Sequence, residues 1–488
     1  MKPLREIVDG PFAPWMGDDD WTAWLSFMSA LRAEPMSRYE RKIYRKCTSR
    51  TDVPSEPCNE AWVIVGRRGR KSAVASMIAV YFGVYGSWPR AKGETVRCLV
   101  VAVSKEQARL VRNYCLAILE SRPAFQRLIT ATDADSISLS TGVTIQVVSN
   151  SYRSIRGPSV ALAVFEEVAF WYSENTTNPD KEVLRAVRPS MLTMPGALLI
   201  GISSPYARRG LLWEKYKKHY GKDGKVLVWK ADTKTMNPAV DPDIIADAYD
   251  DDPIAAAAEY GAEFRSDIEN YVTLEVVEAL IPHGVFERAP IGGVRYQAFC
   301  DPSGGGNDSM TLAIAHMHKD LATVDCVREV KPKFSPEIVV AEFAALLKSY
   351  RISKIIGDRY AAEWVVDAFK RHGITYVLSE KSKSEIYVEL LPILNSGKAD
   401  LIDNKVMLNQ LVGLERRVSR GGRDSIDHPP GGHDDVANAV AGVITNLRGK
   451  IGSYDATLNW VSGGDDTPAD WATRRLLAYT ATGGRFFR

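Results

Sequence analysis

The sequence predicts an α/β protein built on two sheets, and three observations carry that prediction. Short apolar runs alternate with helical stretches from Ala61 to about Ala231. A second series of the same kind begins at Tyr296, after a turn-rich stretch. Several of the apolar runs end in carboxylates, so chemistry is expected at strand ends.

Composition sets the bounds. A chain of 488 residues suggests two to four domains. It is 45% hydrophobic and 25% charged, which excludes whole-chain disorder and fibrous repeats. Lys and Arg number 62 against 60 Asp and Glu, so any DNA contact must come from local patches. Six dispersed cysteines without a CxxC pair argue against a zinc ribbon and a disulfide scaffold, and fit a reducing compartment. The start of the chain lacks the apolar core of a signal peptide. No run approaches 18 apolar residues, so no membrane span is expected.

Residues 1–60 read as helical. Asp18–Asp20 are placed to cap a helix carrying Trp21, Trp24, Leu25, Met28 and Leu31. Six basic residues and one acid lie from Arg38 to Arg50, and both a solvated helix face and a phosphate-contacting patch are open readings. Residues 61–231 give strands at AWVIV, CLVVAV, TIQVV, ALAVF, ALLIGI and KVLVW, expected to form a largely parallel sheet. Residues 232–295, rich in Pro, Asp and Gly, read as a helical lid and linker. Residues 296–449 read as a second domain: a meander of three strands, a helix, KIIGD, a helix, TYVLS, a helix, and a last helix from about Asp434. Residues 450–488 are expected to form a mobile tail.

The stretch VGRRGRKS follows a buried strand and opens a helix, the context of a P-loop. Backbone amides around Gly66, Arg67, Arg68, Gly69 and Arg70 would cradle phosphates. Lys71 would reach the β/γ oxygens of ATP, and the Ser72 hydroxyl would ligate Mg²⁺. Val65 and Arg70 stand at the first and sixth positions, where the motif has glycine, and RRGRK also suits a nucleic-acid patch. Downstream, ALAVFEE ends in Glu166 and Glu167, the place of a Mg²⁺-associated acid and of a second acid that orients water. Two acids capping the next helix are the alternative. GISSP then puts Ser203 and Ser204 at another strand end, beside the expected phosphates.

In the second domain Asp301 ends YQAFC, Asp358 ends KIIGD, and Asp434 and Asp435 open the last helix after PPGGH. Acids on separate elements in the order β-β-β-α-β-α match an RNase H-like nuclease holding two Mg²⁺ or Mn²⁺ ions. Hard oxygen donors suit those ions, and no Cys/His cluster speaks for zinc. Helix periodicity does not decide between Asp434 and Asp435. His433 is a helix-cap residue or an assistant to the chemistry. Lys381, Lys383 and Arg423 are candidate DNA phosphate contacts, reading backbone rather than base edges.

A P-loop ATPase followed by an RNase H-like nuclease resembles the large terminase subunit of tailed bacteriophages. SIRGPSVALAVFEEVAFW, GISSP, DPSGGGNDS and GGHDDVANA carry the resemblance, and KSKSEIY also fits it, over about residues 15–450. The resemblance implies an ATP-driven motor that moves viral DNA into a procapsid through its portal and cuts concatemeric DNA. It implies Glu167 as the catalytic glutamate and Ser203–Ser204 as a coupling motif. Arg67 and Arg68 would act on the γ-phosphate, and Arg156 as an arginine finger supplied to a ring neighbour. Double-stranded DNA, a portal protein, a small terminase subunit and a ring homo-oligomer are the implied partners, with no membrane. The place implied is the host cytoplasm and transiently the procapsid portal, not the mature virion. Glu166 stands where Asp is usual and Arg70 where Gly is common. The competing expectation is an RNase H-like DNA-processing nuclease, resolvase- or transposase-like, with a non-motor nucleotide domain.

Overall fold

The computed structural model describes residues 1–17, 19–149, 157–171, 179–306, 308–359, 362–417 and 425–448. The chain divides into two compact units, one running to Ile268 and one beginning at Glu269.

The first unit holds eight strands: β1 (Glu60–Val65), β2 (Val96–Ala102), β3 (Ile129–Thr132), β4 (Ser136–Leu139), β5 (Val143–Ser149), β6 (Ser159–Glu166), β7 (Leu198–Ser203) and β8 (Val226–Ala231). Their order across the sheet is β3-β4-β5-β2-β6-β7-β1-β8. The six strands from β5 to β8 in that order are parallel. Helices cover both faces, so β1 and β6 are buried almost throughout and read as unbroken apolar runs. The sheet is not parallel to its edge: β3 and β4 are antiparallel additions. Their sequences, ITAT and SISL, are too short and polar to stand out as strands.

Register decides what meets at the strand ends. Ile64 pairs with Ser203, and Glu166 with Ile202, so the C-terminal ends of β1, β7 and β6 lie side by side. The helix Lys71–Tyr85 starts beyond β1. The N-terminal segment contributes the helices Thr22–Arg32 and Arg38–Thr48, whose Trp24, Phe27 and Tyr44 pack in an aromatic cluster with Trp229. Asp20 accepts a hydrogen bond from the Thr22 amide at 2.9 Å, while Trp21 holds the cap position itself; Asp18 lies outside the described residues.

The expected lid and linker is shared between the units. Helices Thr233–Met236, Pro242–Asp251 and Pro253–Glu259 belong to the first, and β9 (Ile268–Asn270) spans the division.

The second unit is organised by β10 (Tyr296–Asp301), β11 (Met310–His318), β12 (Leu321–Val330), β13 (Lys354–Gly357), β14 (Thr375–Leu378) and β15 (Ala399–Asp400), in the order β14-β13-β10-β11-β12-β15. The first three form an antiparallel meander, and β13 and β14 run parallel to β10. A mixed sheet with the meander at its centre and two parallel strands beyond β10 is the RNase H-like arrangement. The strand pair β16 (Glu415–Arg417) and β17 (Ser425–Asp427) lies outside that sheet. The helix Asp435–Arg448 packs Val436, Val440, Val443 and Ile444 into the core. It lies flush on β10: a Cβ at Gly442 would stand 2.4 Å from the Phe299 ring. Only glycine permits that approach, and the approach carries the start of the helix to the end of β10.

All six cysteines are buried free thiols. No helix among the described residues is long and apolar enough to cross a membrane.

Candidate functional sites

The loop after β1 is shaped by its own backbone. Gly66 has no room for a side chain, since a Cβ there would meet the Thr233 hydroxyl at 2.3 Å. Arg68 and Arg70 both adopt left-handed backbone, φ +64°. That conformation costs any residue but glycine, and Arg70 is held in it from outside. Its guanidinium pairs with Asp19 at 2.9 Å, donates to the Asp20 carbonyl, and lies 4.4 Å from the Trp21 ring centre. This tether accounts for an arginine at a position where glycine is common. Trp24 donates to the Gly69 carbonyl at 3.0 Å.

Lys71 opens the following helix and is buried. Its ammonium donates to the Ser204 hydroxyl at 2.7 Å and to the Val65 and Gly66 carbonyls, and it lies 3.3 Å from Glu167 Oε1. The other Glu167 oxygen accepts from the Ser203 hydroxyl at 3.0 Å and from the Ser204 amide at 3.1 Å. Glu167 also sits in left-handed backbone, φ +50°, a strained state that turns its carboxylate toward β7. Lys71, Glu167, Ser203 and Ser204 are thereby one connected group.

Glu166 differs from its neighbour. It is fully buried, and neither carboxylate oxygen has a hydrogen-bond partner in the structure. Burial raises its carboxyl to about 7, against the influence of the nearby Ser72 hydroxyl and with help from the charge on Glu167. An unpartnered buried carboxylate close to the Ser72 hydroxyl is a donor set that fits Mg²⁺ carried on a nucleotide.

The segment after β8 grips the loop. The Thr233 hydroxyl donates to the Arg67 carbonyl at 2.7 Å, and the Asn237 amide to the Arg68 carbonyl at 2.9 Å. Arg67, expected to face the γ-phosphate, has its guanidinium on Glu259 at 2.9 Å. The Arg68 side chain is exposed. Thr233, Asn237 and Glu259 carried no motif signal in the sequence.

In the second unit, Asp301, Asp358, Asp434 and Asp435 line one cleft of about 450 Å³. The Asn438 side-chain nitrogen donates to Asp301 Oδ2 at 2.8 Å and reaches Asp358 Oδ2 at 3.3 Å, so these two carboxylates converge on one amide. The Asn438 oxygen is buried without a hydrogen-bond partner in the structure. Burial first, then the charges of Asp435, Asp358 and Asp434, hold the Asp301 carboxyl well above its ordinary value. Asp435 is raised to about 6 by burial and by Asp434. Acids crowded to this degree, beside an unsatisfied amide oxygen, fit hard divalent cations such as Mg²⁺ or Mn²⁺.

Asp434 has protein partners instead. Tyr387 donates to its Oδ2 at 2.9 Å, and the Lys383 ammonium lies 3.1 Å from the same oxygen. Burial opposes the charge on Lys383, but Asp434 and Asp427 outweigh it and hold the ammonium above its ordinary pKa. Lys383 is thus committed to carboxylates, unlike the phosphate contact expected of it. Lys381 lines the cleft and pairs with Glu389. His433 also lines it, its Nδ1 3.8 Å from an Asp308 oxygen. Arg156, Arg423 and residues 450–488 lie outside the described residues. Sequence reasoning passed over Asn438, although it stands three residues after Asp435 and so shares its helix face. Tyr387 follows Lys383 by four residues and was open to the same argument.

No protein-family profile matches the sequence, and no curated protein matches it. Among solved structures, the chain is similar to the large terminase of bacteriophage HK97: 16% identity, 91% of this chain and 99% of that one covered, TM-score 0.42. It is similar to the large terminase of the thermophilic bacteriophage D6E in complex with ADP: 11% identity, 85% and 100% covered, TM-score 0.36. It is also similar to the large terminase nuclease of the thermophilic phage G20c with bound magnesium: 16% identity, 36% and 97% covered, TM-score 0.31.

Proposed function

We propose that the chain is the large subunit of a viral DNA-packaging machine, an ATP-driven translocase that also cuts double-stranded DNA with divalent metal ions. The observation that carries this reading is the presence on one chain of two acid sites of different design. In the first, Lys71, Glu167 and Ser204 form one group at the ends of β1, β6 and β7. In the second, Asp301 and Asp358 meet at Asn438, in the first turn of the last helix. A phosphate-binding loop beside paired acids supports nucleotide hydrolysis, and a convergent carboxylate cluster supports phosphodiester cleavage. The motif order described above supports joining the two in a packaging enzyme.

In this reading the loop from Gly66 to Ser72 binds the phosphates of ATP, and Ser72 and Glu166 hold its Mg²⁺. Glu167 accepts a proton from the attacking water. Lys71, bonded to Ser204 and close to Glu167, exchanges these partners for phosphate oxygens, so that Ser203 and Ser204 register the nucleotide. Arg156 completes the site of a ring neighbour. Asp301, Asp358 and the Asp434/Asp435 pair serve the nuclease, where a divalent ion supplies an activated water and neutralises charge on the phosphate. Lys381 and Arg423 contact DNA phosphates, whereas Lys383, held by Asp427 and Asp434, belongs to the carboxylate cluster. Double-stranded DNA, the portal, a small terminase subunit and further copies of this chain are the partners, and the host cytoplasm and the procapsid portal the place of action.

The test is translocation of DNA into empty procapsids with this protein supplied, measured with portal-stimulated ATP hydrolysis and Mn²⁺-dependent cleavage. Packaging with both activities supports the reading. Cleavage without portal-stimulated hydrolysis or packaging would favour a DNA-processing nuclease.

A further inference from the structure

The last helix brings two adjacent acids to the cleft, and their surroundings differ. Asp434 is 5% exposed. Its Oδ1 lies 3.2 Å from the Lys383 ammonium, and its Oδ2 takes Tyr387 at 2.9 Å and Lys383 at 3.1 Å. The same ammonium donates to Asp427 Oδ1 at 2.7 Å. One ligand atom each from Asp427, His428 and Asp434 lies within 4.8 Å of the others, a spacing suited to a metal ion. The lysine stands beside two of those three groups. Asp435 accepts at Oδ2 from the Ser309 amide at 3.3 Å, a long bond, and faces the cleft with Asp301 and Asp358.

Lys383 is not there for its helix. It occupies the first position of Lys383–Asn395, where a positive charge opposes the helix dipole. The capping box between Ser382 and Glu385 secures that helix end. Tyr387, one turn on, points to the same carboxylate. The chain therefore places a cation against local preference, and Asp427 and Asp434 compensate it.

We propose that Lys383 is the resident cation of the nuclease cluster, which with Tyr387 holds Asp434 as a positioning residue, and that the divalent ion is ligated from this helix by Asp435. The proposal rests on the nuclease reading above. For Asp434 to bind a metal ion it would surrender a buried hydroxyl partner, Tyr387, and a half-buried partner, Lys383, and leave an ammonium beside the arriving ion. Asp435 gives up one long bond. The cation also keeps Asp427, His428 and Asp434 from collecting a metal ion of their own.

The test uses the full chain and Mn²⁺ alone as probe, with bound ions counted by electron paramagnetic resonance and affinity measured by calorimetry. Asp435→Asn should weaken Mn²⁺ binding at least about tenfold more than Asp434→Asn, which removes only an orienting group. Lys383→Met should bind one more Mn²⁺ per chain than wild type. It should also melt lower in EDTA and recover on adding Mn²⁺, while Lys383→Arg keeps the wild-type count. Equal losses in the two aspartate variants, or a greater loss in Asp434→Asn, would overturn the proposal. So would wild-type ion count and melting in Lys383→Met. Should that variant not fold, the aspartate pair decides alone. A folded wild type that neither binds Mn²⁺ nor cuts DNA removes the nuclease reading and this proposal together. A cutting wild type whose Mn²⁺ depends on Asp434 removes this proposal only.

Discussion

The Lys71 ammonium donates to the Ser204 hydroxyl at 2.7 Å, across 133 residues of sequence. The contact joins the loop after β1 to the end of β7. Lys71→Ala should reduce ATP turnover roughly 100-fold or more, because a buried charge aimed at the phosphates is lost. Ser204→Ala should keep more turnover than Lys71→Ala while weakening the coupling of hydrolysis to DNA movement. Steady-state hydrolysis and packaging assays on both variants check this. Wild-type turnover in Lys71→Ala would refute the loop assignment.

Glu167→Gln should still bind ATP and hydrolyse it about 10²–10⁴-fold more slowly, since the amide cannot take the proton of water. The Ser203 and Ser204 bonds to one oxygen can persist in the amide, so the fold should hold. Fluorescent-nucleotide binding measured beside turnover separates the two effects.

Glu166 sets a pH dependence. Its carboxyl is raised from 4.5 to about 7 by burial, so between those values the folded protein retains a proton that the unfolded chain has released. Stability from this group is present below about pH 4.5 and falls as pH rises through about 7. Without nucleotide, Glu166→Gln should therefore gain on wild type across that window, by about 3 kcal/mol at most. Chemical denaturation of both proteins from pH 5 to 8 gives the difference; a constant gap contradicts it.

For Arg156 the expected outcome is rescue in a mixture. On the proposed reading, Arg156→Ala subunits would lack the finger and Glu167→Gln subunits the base, so each homogeneous ring should be slow, the first by roughly 1000-fold or more. A mixed ring contains interfaces with both groups intact and should regain activity. No gain over a mixing series, with assembly verified by light scattering, argues for a role within one subunit.

Asp301→Asn should abolish DNA cleavage and leave ATP hydrolysis near wild type. In EDTA at pH 8 it should also melt higher than wild type. Burial and three neighbouring acids disfavour the ionised Asp301, so its removal relieves the metal-free fold at any pH above the ordinary carboxylate range. Added Mn²⁺ should raise wild type more than the variant. Calorimetry with and without Mn²⁺ reads both.

Strand-end acids were the most legible feature of the sequence. Runs such as ALAVFEE and YQAFC declare buried strands, and the carboxylates after them stand out against apolar neighbours. Chain order then places Asp301, Asp358 and the Asp434/Asp435 pair near one another once the sheet topology is assumed. Less was legible wherever a contact is made by an ordinary residue far away in sequence. Thr233 and Asn237 hold loop carbonyls, which no motif records. Lys383 reads as a phosphate contact in the sequence because its two acidic partners are 44 and 51 residues distant. The β3–β4 hairpin is silent because each strand has four residues and only two of the eight, Ile137 and Leu139, are buried apolar side chains, too short a pattern to stand out.

The flush seat of the last helix on β10, permitted by Gly442, has a consequence for the order of events during synthesis. The loop after β1, Glu167 and Ser204 leave the ribosome within the first half of the chain, and domains generally fold as units from the N-terminus. Asp301 and Asp358 emerge next, but the cleft they share lacks Asp435 and Asn438 until the helix Asp435–Arg448 has been made and has packed. A nascent chain can thus assemble the Lys71–Glu167–Ser204 group well before the carboxylate cleft is complete. If the proposed function holds, DNA cleavage would have to wait for the final helix, a delay set by the sequence order of the fold itself.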